Sequence, residues 1–217
     1  TMINVVTGIY TPEEGNVLWC GENVNRCTPC DMANRDITRT FQNIRLFGNL
    51  TVVENVMCGF HRHMKASFFE CLLNTKRARE EEIIYRKKAM ELLEFMGIAE
   101  LVDDKAYNLP YGDQRRLEIA RALALQPKLL LLDEPAAGLN PAETVELGHL
   151  ISRIRELGVT VFIIEHHLDM ILDICDIVSV FESGKKIAEG LPSEVRNNER
   201  VIEAYMGSGK VREEINA

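Results

Sequence analysis

Three observations predict an α/β domain with a largely parallel sheet. Strand-like and helix-like segments alternate along the chain. Two runs, Lys128 to Leu132 and Val159 to Ile164, are almost continuously apolar, the pattern of strands covered on both faces. The first closes on Asp133 and Glu134 and the second leads into Glu165 and His166, so both ends are expected at one sheet edge. At 217 residues the chain is long enough for one good-sized domain with a full core. A net charge of -8 argues against a nucleic-acid partner, which would need a basic face. No apolar run approaches the ~20 residues of a bilayer span, and no signal peptide opens the chain. The expected place is the cytosol, or the cytosolic face of a membrane reached through a partner.

Met2 to Gly8 reads as a helix closed by a glycine cap. Asn16 to Gly21 has strand character between turn residues. Asp31 to Thr40 is a short polar helix leading into another strand. Thr51 to Cys58 opens a helix, with Thr51 as N-cap and Glu54 at the capping-box position. Arg62 to Glu82 lacks a clean period and reads as irregular. Glu81 to Met96 is an amphipathic helix ended by Gly97. Arg115 to Gln126 is helical and stops before Pro127. Asn140 caps the helix that runs to Gly158, with Pro141 at its first position and Glu143 three residues on. Leu168 to Ile174 is helical, and Ile177–Phe181 and Lys185–Ala188 are strands around a Glu-Ser-Gly turn. The polar tail 207–217 reads as loose. The stretch from about 51 to 126 is almost wholly helical and reads as a helical subdomain within a single domain. Of the six cysteines, Cys27 and Cys30 form a CxxC, but no second pair exists to complete a zinc site, so reduced structural thiols are expected.

The strongest chemical signal is Leu129-Leu130-Leu131-Leu132-Asp133-Glu134-Pro135. A buried strand delivers two adjacent carboxylates at its C-terminal end, where α/β sheets place ligands. Neighbours on a strand point different ways, so the two can do different jobs. Asp133 can hold Mg²⁺, directly or through water. Glu134 can polarise the water that attacks a γ-phosphate. Taken alone, a strand ending in an exposed acidic turn explains this segment equally well.

The neighbouring motifs change that balance. The chain resembles the ATP-binding domain of ABC transporters over nearly its whole length, through five motifs in order. Gln42, in Thr40-Phe41-Gln42-Asn43, matches the glutamine loop. Leu109-Pro110-Tyr111-Gly112-Asp113-Gln114-Arg115-Arg116 matches the signature, followed by the helix Leu117 to Leu123. Asp133 and Glu134 match Walker B and its catalytic acid, Ala137-Gly138-Leu139-Asn140 the D-loop, and His166 the switch histidine. The resemblance implies a P-loop NTPase-type sheet with a helical subdomain, and ATP and Mg²⁺ as cofactors. It implies Glu134, His166 and Gln42 as catalytic residues and Asp133 and Gln42 as metal ligands. It implies Thr1, Tyr111, Gly112, Asp113 and Asn140 as nucleotide contacts, the signature acting on ATP held by the opposite subunit. The family's serine and first glycine in the signature are here Pro110 and Tyr111; Pro110 has neither hydroxyl nor N–H. The Gly-rich Walker A loop is not in the sequence. Thr1 aligns with the second Thr of its Gly-Lys-Thr-Thr ending, so the lysine and the preceding strands are expected upstream, and the chain as given is expected to hold ATP poorly.

Softer signals resemble the ATP-binding subunits of branched-chain amino-acid importers: the Leu-Pro-Tyr-Gly-Asp-Gln-Arg-Arg signature, Glu134 to Pro141, Phe41 to Phe47 and Arg200 to Gly207. That resemblance implies a second, related or identical ATPase subunit, two transmembrane permease subunits, and, indirectly, an extracytoplasmic substrate-binding protein. It places the chain peripherally at the cytoplasmic face of the cell membrane, with the permease contacts near Gln42 to Asn55 and in the helical subdomain. ATPases of lipopolysaccharide export are close relatives and stand as the alternative. A soluble ABC ATPase for DNA repair or translation would show a coiled-coil insertion, a tandem domain or a basic face. A non-hydrolysing module has no physical reason to keep Gln42, Asp133, Glu134 and His166 together.

Overall fold

The structure is a computed structural model describing residues 2–206; Thr1 and the tail from Gly207 lie outside the described residues. The chain opens with α1 (Met2–Val6), closed by Gly8 at φ +73°. A short antiparallel ribbon follows, β1 (Leu18–Trp19) and β2 (Glu22–Asn23), then α2 (Pro29–Asn34) and β3 (Ile37–Arg39). A helical stretch holds α3 (Val52–Gly59), α4 (Phe68–Leu72), α5 (Lys76–Met96) and α6 (Tyr111–Leu123). Next come β4 (Leu129–Asp133), α7 (Pro141–Glu156), β5 (Thr160–Ile164) and α8 (Leu168–Ile174). The hairpin β6 (Val178–Glu182) and β7 (Lys185–Gly190) precedes α9 (Pro192–Arg196) and α10 (Glu199–Met206).

The central sheet is parallel in the order β3-β4-β5, with Leu131 of β4 opposite Arg39 and Phe162. Because side chains alternate across a strand, β4 feeds two cores. Leu130 and Leu132 pack with α3, α5, α6 and α7, while Leu131 packs with Ile3 of α1, Met32 of α2 and Ile37. Covering both faces explains the unbroken leucine run. The hairpin turns on Ser183 and Gly184, both at positive φ as a two-residue turn of this kind requires. It packs on α8, α9 and α10 as a third core.

Three regions differ from the sequence expectation. The Arg62 to Glu82 stretch is largely helical: α4 lies within it, and α5 begins at Lys76. Thr75 caps α5 by accepting from the Ala78 amide, and Lys76–Glu80 and Arg77–Glu81 pair one turn apart. Caps and i,i+4 charges carry this helix start in place of an apolar stripe. Helix α6 begins at Tyr111, four residues before Arg115. Helices α9 and α10 were not anticipated from the sequence.

Two predictions arise here. Helix α3 crosses α6 at Gly59, where an added Cβ would lie 2.4 Å from the Arg121 carbonyl oxygen and 2.7 Å from Ala124 Cβ. Gly59→Ala is expected to cost ~1–3 kcal/mol by forcing the helices apart, and an unchanged urea midpoint would contradict this packing. In the capping boxes Thr51–Glu54 and Ser67–Glu70, the N-cap backbone N–H and hydroxyl hold each glutamate below its ordinary value of 4.5. A depressed acid stabilises the fold above its unfolded pKa and loses that contribution as pH falls through the folded pKa. Acid titration followed by circular dichroism should therefore lose helix signal only below that range. Glu54→Gln should shrink the loss, and an identical acid limb would count against the caps.

Candidate active site

The site forms where β4 leaves the sheet. Asp133 still pairs with Ile164 of β5, and the Glu134 amide donates to the Ile164 carbonyl at 2.8 Å. Glu134 then takes φ +47°, a left-handed conformation that costs a residue with a Cβ about 1–3 kcal/mol. This turn sends the two carboxylates to different partners. Gln42 Nε2 donates to Glu134 Oε2 at 2.9 Å, and His166 Nε2 lies 3.0 Å from Glu134 Oε1. Asp133 Oδ2 lies 3.3 Å from Arg39 Nη2. Arg39 Nη1 in turn donates to Asn4 Oδ1 at 2.7 Å and Thr7 Oγ1 at 3.0 Å, so it bridges α1 and β4. Burial pushes the Arg39 guanidinium below its usual pKa, partly offset by Asp133.

The Gln42–Glu134–His166 cluster brings together three residues that the sequence separates widely. The His166 side chain is 76% exposed and that of Glu134 26%, so water and a ligand can reach the carboxylate. Glu134 accepts hydrogen bonds on both oxygens, which orients it. Such a group can accept a proton from a water placed beside it.

Sequence reading missed Glu165. Its side chain is only 2% exposed. It accepts from the Ala136 amide at 2.6 Å and the His166 amide at 2.9 Å, and lies 3.0 Å from His167 Nδ1. It therefore ties the turn after Glu134 to the backbone of His166. A lone acid after an apolar strand carries no signal of its own; its place directly before His166 was the available clue.

The other expected residues form a second cluster. Pro110 sits at the N-cap of α6, where its carbonyl accepts from Gln114 N at 3.0 Å. Helix geometry leaves the N–H groups of Tyr111, Gly112 and Asp113 without an intrahelical carbonyl, and such donors suit a phosphate. The Tyr111 ring packs on Gly138, where an added Cβ would lie 3.2 Å from Cε1. A cavity of about 270 Å³ is lined by Gly112, Asp113 and Arg116 on one side and by Leu139, Glu143 and Glu146 on the other. Burial raises the Asp113 carboxyl above its ordinary value, and nearby glutamates add to the effect. Asn140 Oδ1 caps α7 through the Glu143 amide at 3.0 Å. Thr1 lies outside the described residues.

Asp133 and Gln42 offer a carboxylate and an amide oxygen, hard donors of the kind Mg²⁺ takes. Among the described residues no group of three or more His, Cys, Asp or Glu side chains could hold a metal unaided. The donor set fits an ion that keeps waters and phosphate oxygens in its shell. All six cysteines are free, and burial raises the Cys58 and Cys175 thiols, as inert packing groups require. Among the described residues no helix is long and apolar enough to cross a membrane.

Comparison with known proteins bears on these two clusters. The family model for ABC transporters matches residues 1–137, and that for the branched-chain amino acid ATP-binding cassette transporter matches residues 185–211. The high-affinity branched-chain amino acid transport ATP-binding protein LivG of Escherichia coli is 41% identical over 208 residues, covering 95% of this chain and 82% of that protein. The corresponding protein BraF of Pseudomonas aeruginosa is likewise 41% identical with the same coverage. A crystal structure of an ATP-binding cassette of an ABC transporter in its ADP conformation superposes with a TM-score of 0.79. It is 33% identical, over 95% of this chain and 82% of that one.

Proposed function

The chain belongs to the ABC transporter family of ATP-hydrolysing subunits, and from that premise we propose that it energises an importer of branched-chain amino acids. The observation that carries the catalytic part is the hydrogen-bonded cluster of Gln42, Glu134 and His166 beside Asp133. Glu134 holds the attacking water and takes its proton. Gln42 and His166 keep the carboxylate in place and offer donors to the water and the γ-phosphate. Asp133 and the Gln42 amide oxygen would hold Mg²⁺, which when bound offsets the phosphate charge. Tyr111, Gly112 and Asp113 lie on the first turn of α6, whose N–H groups have no intrahelical acceptor. Those free donors support their acting on a nucleotide held by a second ATPase subunit, with Thr1 and Asn140 as further nucleotide contacts.

The identities of LivG and BraF support the substrate class. A cavity of about 720 Å³, lined among others by Phe41, Leu46, Phe47, Gly59 and Arg121, opens between the 41–47 segment and α3 and α6. Its mostly apolar lining supports the docking of a permease helix there. We take residues 51–126 as the helical subdomain and the cytoplasmic face of the membrane as the place of work. With the full-length subunit reconstituted with its permeases and binding protein, ATP hydrolysis is expected to rise several-fold when leucine is added. Stimulation by an unrelated solute and none by branched-chain amino acids would overturn the substrate reading.

A further inference from the structure

Residues 40–50 contain no regular structure apart from a turn and bends, yet side chains of α3 and α6 hold their main chain at Phe41, Gln42, Arg45 and Phe47. Arg115 Nη1 donates to the Phe41 carbonyl at 2.9 Å and Nη2 to the Gln42 carbonyl at 3.0 Å. Arg115 Nη1 also pairs with Glu118 Oε2 at 2.8 Å, and Glu118 Oε1 accepts from the Arg45 amide at 3.1 Å. Arg121 donates to the Arg45 carbonyl. Asn55 accepts from the Phe47 amide at 3.0 Å and donates to the Phe47 carbonyl at 3.1 Å. On the sheet side the backbone link is Thr40 N to the Leu131 carbonyl at 2.9 Å. The main-chain anchor thus passes from sheet to helices between Thr40 and Phe41.

The Arg115 side chain is fully buried and that of Glu118 is 2% exposed. A buried ion pair is a weak source of net stability, because desolvation offsets its attraction. What this pair does is geometric. One planar guanidinium reaches two successive carbonyls and, at 3.2 Å, the Tyr111 hydroxyl, so the first turn of α6 and the Gln42 backbone move together. A lysine, with a single nitrogen, cannot span that set. We propose that Arg115 and Glu118 are positioning residues for hydrolysis, making residues 41–45 a rigid extension of α6 so that the position of this helix sets the Gln42 contact with Glu134. The proposal rests on the ATPase reading of the site.

The test uses the full-length subunit assembled with its permeases. The pair is replaced by apolar residues of similar volume (R115M/E118M), which is expected to leave the fold intact because the desolvation cost of a buried ion pair offsets most of its attraction. Amides 42–45 are then expected to exchange hydrogen at least about tenfold faster, the equivalent of one lost hydrogen bond, with exchange of the Phe47 amide, which Asn55 holds, and inside α6 unchanged. Turnover is expected to fall about tenfold or more, as a displaced catalytic contact does, with KM for ATP little changed. In a Gln42→Ala background the same double replacement should cause no further fall, because it acts through Gln42. Unchanged exchange, or losses that multiply with Gln42→Ala, would overturn the proposal. If the double variant does not fold, Arg115→Lys, which keeps the charge pair, must show the same faster exchange or the proposal fails. Absence of ATP hydrolysis by the wild-type assembly would sink the ATPase reading instead, and exchange would still decide whether the pair holds the loop.

Discussion

Glu134→Gln is expected to leave ATP binding intact and to slow hydrolysis by about 10²-fold or more, the scale for a lost general base. The substitution keeps size, shape and the capacity for hydrogen bonds. The new amide oxygen can still accept from Gln42, and its NH₂ can face His166, whose ring accepts in its other tautomer. The left-handed backbone at this position is no harder for Gln than for Glu. What disappears is the ability to take a proton from water. Nucleotide titration and single-turnover hydrolysis in the assembled transporter separate the two effects. Turnover near normal would remove Glu134 from the role of base, and lost binding would show that it holds nucleotide instead.

The largest effect on stability is expected from Glu118→Ala. It leaves Arg115 fully buried with its charge uncompensated and strips the Arg45 amide of its acceptor. Breaking a buried pair from one side costs about 3–5 kcal/mol, which for a chain of this size lowers the melting temperature by roughly 10 °C. The more solvent-accessible pair Arg116–Glu146, whose glutamate side chain is 63% exposed, offers the contrast. Glu146→Ala should cost at most ~1 kcal/mol, because solvent screens that interaction. Equal melting temperatures for the two variants would mean that the buried pair is hydrated and that the burial argument fails.

Much of the site was legible in the sequence because its signals are local. A leucine run ending in Asp133-Glu134 needs only the alternation of a doubly covered strand to place two acids at a sheet edge. Thr51, Asn140 and Pro141 mark helix starts through contacts three residues long, and the structure shows the capping boxes at Thr51 and Asn140. The start of α5 is equally local, but its signal lies in a cap and charge pairs and not in an apolar period.

Other features depend on residues far apart in the chain. The sequence determined which chemical groups this protein carries and on which strand ends and helix starts they stand. Only the tertiary structure decided that Gln42, Glu134 and His166 share hydrogen bonds, that Glu134 turns left-handed to reach them, and that Asp133 faces Arg39 instead. It also decided that Arg115, Glu118 and Glu165 are buried polar groups. On a helix or strand, each of these reads like any solvated charge. Burial makes them matter, because a buried charge must find partners, and the partners here are backbone groups of the loops that carry Gln42, Glu134 and His166.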